Sequence, residues 1–125
     1  MLRRITLNLA RDHEFPEGSS QHGYEIVAPL DASGHLDAEA WRLQKGLCHV
    51  RRFWPGEEDR QGLLVHHAGG AGGATWKISY DMPETGEDES GYRLGSHRFV
   101  LGEYVSILDD DGHSHTFKIA EIRPA

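Results

Sequence analysis

Cysteine is nearly absent from this chain: Cys48 is the single thiol in 125 residues. One thiol excludes an intramolecular disulfide and any metal site built from several thiolates, and it fits a reducing compartment. Long apolar runs are missing too, since no stretch approaches the roughly 20 residues that a membrane-spanning helix requires. The first ten residues carry Arg3 and Arg4 and interleave Thr6 and Asn8 with apolar neighbours, so they lack the continuous apolar region of a secretory signal. Together these absences give the expectation of a cytoplasmic protein with no membrane partner. Positive charge is scarce as well: 13 Lys and Arg stand against 20 Asp and Glu, for a formal charge of -7. Such a balance repels phosphate backbones, so nucleic acid is not an expected partner.

What is present suits one β-rich domain spanning residues 1–125. A chain of this length buries roughly two-thirds of its unfolded surface on folding, which is enough for one hydrophobic core. Hydrophobic residues reach only 38%, yet three Trp, four Tyr and four Phe supply bulky core material. Nine histidines are the compositional oddity, and their full protonation would carry the formal charge from -7 to +2. Imidazole titrates near pH 6.5 when unperturbed, so a pH response is one reading of that count and a His-rich surface is the plainer one.

Residue alternation places the elements. Leu2 to Leu9 puts Ile5, Leu7 and Leu9 on one side and Arg4, Thr6 and Asn8 on the other, the pattern of a half-buried strand. Arg11 to Gln21 is polar, holds Pro16 and Gly18 and reads as a long loop. His22 to Leu30 reads as a second strand. Asp37 is a good helix N-cap, Leu36 can staple to Trp41, and Gly46 can supply a left-handed residue past the end, so one short helix is expected over 38–45. Further strands are expected at Leu47 to Trp54, Gly62 to Ala68, Ala74 to Tyr80, Arg98 to Leu108 with a bend at Leu101-Gly102, and His113 to Ile122. The last two are joined by an Asp-Gly turn. Met82 to Gly91 reads as a solvated acidic loop, and Gly69 to Gly73 as a flexible hairpin connection, because no lysine and no helix follow it as a phosphate cradle requires. About seven strands at this spacing predict a single antiparallel β-barrel or sandwich.

Three tracts carry candidate chemistry. In Leu47 to Trp54, Arg51 and Arg52 are adjacent on a strand and so point to opposite faces, which can bring one guanidinium into a cavity beside Trp54 or Phe53 to hold a carboxylate or phosphate. The alternative is that both lie along the surface and pair with Glu57, Glu58 or Asp59. His22 and Tyr24 share a strand face where the long loop enters the sheet, suited to hydrogen bonding or proton transfer. The closest metal-ligand spacing is His113-Ser114-His115, with Glu121 on the same side by alternation, and a divalent metal is the cofactor this pattern would hold. That order bears a superficial resemblance to the metal motif of the cupins, but the glycines around that motif are absent and the interval to Glu121 is too long, so no family is carried over. Cys48 lies between apolar neighbours and reads as a buried, inert thiol.

Two function classes stay open at this point. The first is a small β-barrel module that binds a small ligand or a protein partner through Arg51, Arg52, Trp54, Trp76, Tyr80, His22 and Tyr24; pairing through an exposed strand edge would make it a homodimer. The second is a metal-binding protein or metal-dependent enzyme that gathers histidines from separate strands, such as His22, His49 and His97, into one pocket.

Overall fold

A computed structural model describes residues 2–11, 15–70, 73–80, 89–90, 98–108 and 114–125. Its elements are β1 (Leu2–Leu9), β2 (Ser19–Pro29), α1 (Ala38–Leu43), β3 (His49–Phe53), β4 (Arg60–Gly70), β5 (Gly73–Tyr80), β6 (Glu89–Ser90), β7 (Tyr104–Leu108) and β8 (Ser114–Pro124). Each strand pairs antiparallel with the next in chain order, and β8 returns to pair with β1, so the sheet closes into a barrel. Closure is thinnest at β6, which meets β7 through the single pair Ser90 and Leu108.

The period-two pattern does the work expected of it. Ile5, Leu7 and Leu9 of β1, Tyr24, Ile26 and Ala28 of β2, Trp76, Ile78 and Tyr80 of β5, and Phe117 and Ile119 of β8 all point inward and are buried. An eight-stranded barrel has an interior just wide enough for side chains to fill, and here those residues form the core. Of the two expected architectures, barrel or sandwich, the mostly β antiparallel fold with one short helix is the barrel.

Asp37 caps α1 as its sequence position suggests, its side chain accepting a hydrogen bond from the Ala40 backbone N–H at 3.1 Å. Leu36 and Trp41 are both buried in the core. The helix stops at Leu43, however, and not at Lys45. Lys45–Leu47 forms a 3-10 turn instead, and Gly46 within it is not among the positive-φ glycines. The tighter turn, closed by Leu47 N–H to Gln44 O at 2.9 Å and Cys48 N–H to Lys45 O at 3.2 Å, reverses the chain in few residues. It delivers Cys48 into the core immediately before β3.

Other boundaries shift for related reasons. β2 starts at Ser19, within the stretch expected to be loop, because backbone pairing of Ser19 with Leu9 needs no apolar side chain. Expected strand residues 98–103 are irregular: Phe99 is buried, its N–H donates to Gly34 O at 2.7 Å, and the bend at Leu101-Gly102 is made by Gly102 at φ +87°. β6 falls inside the stretch expected to be a solvated loop, and the rest of that stretch lies outside the described residues, as does the Asp-Gly turn before β8.

Candidate functional site at one end of the barrel

Strand alternation sends the two adjacent arginines to opposite sides of the wall. Arg51 faces outward: its Nη1 donates to Asp59 Oδ2 at 2.9 Å and its Nη2 to Glu25 Oε2 at 3.4 Å, while Glu25 Oε1 accepts from Arg4 Nη1 at 2.7 Å. This chain of charges ties β1, β2 and β3 together across their outer faces. Partial burial raises the Glu25 carboxyl, but Arg4 and Arg51 lower it further, leaving it below the ordinary carboxylate value. The surface-pairing alternative therefore describes the contacts of Arg51.

Arg52 points inward, and its side chain is only 12% exposed. Its guanidinium carbon lies 4.4 Å from the centroid of Trp54, and its Nη1 reaches Glu57 Oε1 at 3.5 Å. Across the sheet its Cα partners are Tyr24 on β2 and Arg60 on β4. Arg60 repeats the arrangement, with its guanidinium 4.0 Å from the Tyr80 ring. Two guanidinium groups thus lie over two aromatic rings at one end of the barrel, a geometry that holds each charge without full hydration.

His22 and His115 flank Trp54 in the same layer. The His22 ring lies 4.4 Å from that of Phe15 and 4.5 Å from that of Trp54, edge to face, and its Nδ1 is 2.7 Å from Ser19 Oγ. His115 lies 5.9 Å from Trp54 and 6.5 Å from Phe117. Below them Tyr24 packs edge-on against Phe117 at 5.1 Å and forms a buried floor. His22 reaches this layer because it lies two residues before the inward-facing Tyr24, and β2 departs from regular pairing just before it: Asn8 pairs with Gly23, but Leu9 pairs with Ser19. Gly23 is required at that step, since a Cβ there would stand 1.9 Å from Leu7 O.

Of the residues singled out from sequence, His22, Tyr24, Arg52, Trp54, Tyr80 and His115 share this end, and Phe15 and Arg60 join them. Trp76 does not. It lies four residues along β5 from Tyr80, about 13 Å at strand rise, and packs at the opposite end against His66 at 4.6 Å and Trp41 at 5.8 Å. Arg60 escaped sequence reading because its place opposite Arg52 depends on the β3–β4 register, for which the chain carries no local signal.

The histidine-built arrangements come out differently from their sequence spacing. Glu121 was expected on the face of His115, but Ala120 is an extra residue in β8, since Thr6 pairs with Glu121 and Leu7 with Ile119. That bulge inverts the alternation, and Glu121 is exposed, accepting from Arg123 Nε at 2.7 Å. His49 is exposed on the outer wall while His22 is buried inside it, so those two do not converge. His97 and His113 lie outside the described residues. Among the described residues no three His, Cys, Asp or Glu side chains lie close enough together to hold a metal ion. Cys48 is fully buried, its Sγ donates to Gln44 O at 3.4 Å, and burial pushes its thiol pKa up, which keeps it protonated and unreactive.

No helix among the described residues is long and apolar enough to cross a membrane. No family model matches the chain, and no curated protein or solved structure is significantly similar to it.

Proposed function

We propose that this chain is a binding module, without a catalytic step of its own, that holds a small anionic ligand at the end of the barrel formed by His22, Arg52, Trp54, Arg60, Tyr80 and His115. The observation that carries the reading is the position of the Arg52 guanidinium over Trp54 at 4.4 Å, beside two imidazoles that face the same indole. With the Arg52 guanidinium over the indole, charge-assisted bonds from it to a carboxylate or phosphate would be strong where water is partly excluded. Because the interior below is filled by Tyr24 and Phe117, the ligand would rest on this layer and not inside the barrel. Glu57 at 3.5 Å from Arg52 is the side chain it would displace. Ser19 Oγ, 2.7 Å from His22 Nδ1, would position that imidazole in the layer.

The test is tryptophan fluorescence and melting temperature over a panel of aromatic and aliphatic carboxylates and inorganic phosphate, alongside added zinc, nickel and iron. The reading expects at least one anion to raise the midpoint and perturb Trp54 emission, and expects Arg52→Gln to keep the fold while weakening that anion about tenfold or more. If no anion acts, the reading falls. If a metal instead binds stoichiometrically and His115→Ala removes it, the histidine-built alternative replaces it.

A further inference from the structure

A concavity of about 440 Å³ opens on the outer wall where β1 runs between β8 and the start of β2. Pairing sets its floor: Tyr104 opposes Lys118 across β7–β8, and Lys118 opposes Asn8 across β8–β1, so three strands present Tyr104, Lys118 and Asn8 in one row. Two irregularities bracket β1 and create the depth. The β8 bulge inserts Ala120, whose small side chain lines the concavity, and the broken register after Asn8 lets the chain before β2 rise as a rim. Gly18 fixes that rim against β1. Its φ is +78°, its N–H donates to Phe15 O at 2.9 Å, and a Cβ at this position would come 2.7 Å from Leu9 O. Bulges are where barrels re-aim side chains, frequently beside binding sites.

The lining chemistry is specific. Arg11 and Lys118 are exposed cations and Glu17 an exposed carboxylate, and among the described residues none of the three makes an ion pair. This differs from the neighbouring wall, where Arg4, Arg51 and Arg123 are all neutralised by carboxylates. Asn8 and Ser20 add neutral donors and acceptors, and Tyr104 presents a ring that is 55% exposed. An apolar slot would suit an aryl acid. A polar trough with a single exposed aromatic platform suits a sugar ring, whose C–H face stacks on the aromatic while its hydroxyls bond the carboxylate, amide and hydroxyl around it. Two cations in the same trough call for an anionic substituent.

We propose that this groove is a binding site for one acidic sugar unit, a monosaccharide bearing a carboxylate or a phosphate, with Tyr104 as the stacking platform, Arg11 and Lys118 holding the anion, and Asn8, Glu17 and Ser20 bonding hydroxyls. The volume falls within the range of small-molecule sites. An overall formal charge of -7 selects a single unit over a long polyanion, which the rest of the surface would repel. This site adjoins the barrel-end layer through Ser19, which lines the groove and whose Oγ lies 2.7 Å from His22 Nδ1, but its cations and its aromatic platform are distinct from those of that layer.

Amide NMR of the full chain titrated with glucuronate, glucose 6-phosphate and neutral glucose tests the assignment. The expected result is saturable shifts at Asn8, Ala10, Ser20, Tyr104 and Lys118 with at least one of the two anions, at least tenfold weaker binding of glucose, and a fivefold or greater loss in Lys118→Gln with an unchanged melting temperature. Tyr104→Ala should weaken the sugar while leaving weak capture of inorganic phosphate intact, a separation that a purely electrostatic patch would not give. Saturation by only one anion supports the proposal and identifies the acidic group as carboxylate or phosphate. The proposal is overturned if neither anion shifts these amides, if glucose binds as well as the anions, or if the shifts centre on His22, Trp54 and His115, which would assign the ligand to the barrel end.

Discussion

The two ends of the barrel use similar residues to opposite purposes. At the end covered by α1, Trp41, His66 and Trp76 pack together, Trp41 Nε1 donates to Leu64 O at 2.8 Å, and Phe99, whose own N–H donates to Gly34 O, is buried in the same core. At the other end His22, Trp54 and His115 also pack together, but they are joined by Arg52 and Arg60. Trp41 and Trp76 are buried, whereas Trp54 is half-buried. An aromatic–imidazole cluster therefore becomes a sealed plug or a polar layer according to what lies over it. A helix with its indole hydrogen-bonded to the wall seals one end, and two guanidinium groups keep the other polar.

Mutations at the two ends should separate these roles. The largest effect belongs to the plug. Trp41→Ala removes a buried indole and leaves Leu64 O without its donor, and should cost about 3–5 kcal/mol in urea unfolding. It should also quicken alkylation of Cys48, which in the unaltered protein should react only through unfolding. At the polar end, Gly23→Ala drives a Cβ into the Leu7 carbonyl and should cost about 1–3 kcal/mol, more if the backbone cannot yield. Trp54→Ala, at a half-buried ring, should cost less than about 2 kcal/mol while abolishing the fluorescence response to bound anions. If it destabilises as much as Trp41→Ala, both ends are plugs and the distinction fails.

The smallest expected effect tests the wall between the ends. Glu25→Gln should cost about 0.5–1 kcal/mol at neutral pH, since the Arg4 and Arg51 partners are more than a third exposed and solvent screens them. Its pH dependence is the sharper signature. The Glu25 carboxyl titrates below its ordinary value of 4.5 in the folded protein, so its contribution is complete above that value and is lost as pH falls through the lower, folded one. The gap between wild type and Glu25→Gln, followed by denaturant melts from pH 7 downward, should close below about pH 4.5. A gap that persists into strong acid would mean that the substitution acts through packing and not through charge.

Much of the architecture was legible locally. The alternation in β1 and β5 identified inward faces correctly, and the Asp37 cap with Leu36 and Trp41 identified α1. Errors arose where a backbone irregularity broke the period. The Ala120 bulge turned Glu121 away from His115, and the 3-10 turn at Lys45–Leu47 ended the helix early. Phe99 looked like a strand residue and instead enters the core from an irregular segment, held to a turn some 65 residues distant by its own N–H to Gly34 O and by the Arg98 side chain, whose Nε donates to Ser33 O. Neither a bulge nor such a long-range bond has a period that a sequence pattern can reveal.

The candidate sites divide in the same way. Residue chemistry alone indicated that adjacent arginines must part to opposite faces and that Trp54 or Phe53 would accompany the inward one. Which arginine turned inward, that Arg60 would stand beside it, that Trp76 would lie at the far end, and that Tyr104, Lys118 and Asn8 would form one row were decided by strand register. By itself the sequence determined the alternation that makes a mostly β antiparallel chain, because side-chain direction along a strand follows from local backbone geometry. The tertiary structure alone decided which residues meet, because inter-strand register is set by turns, bulges and the packing of the whole closed sheet.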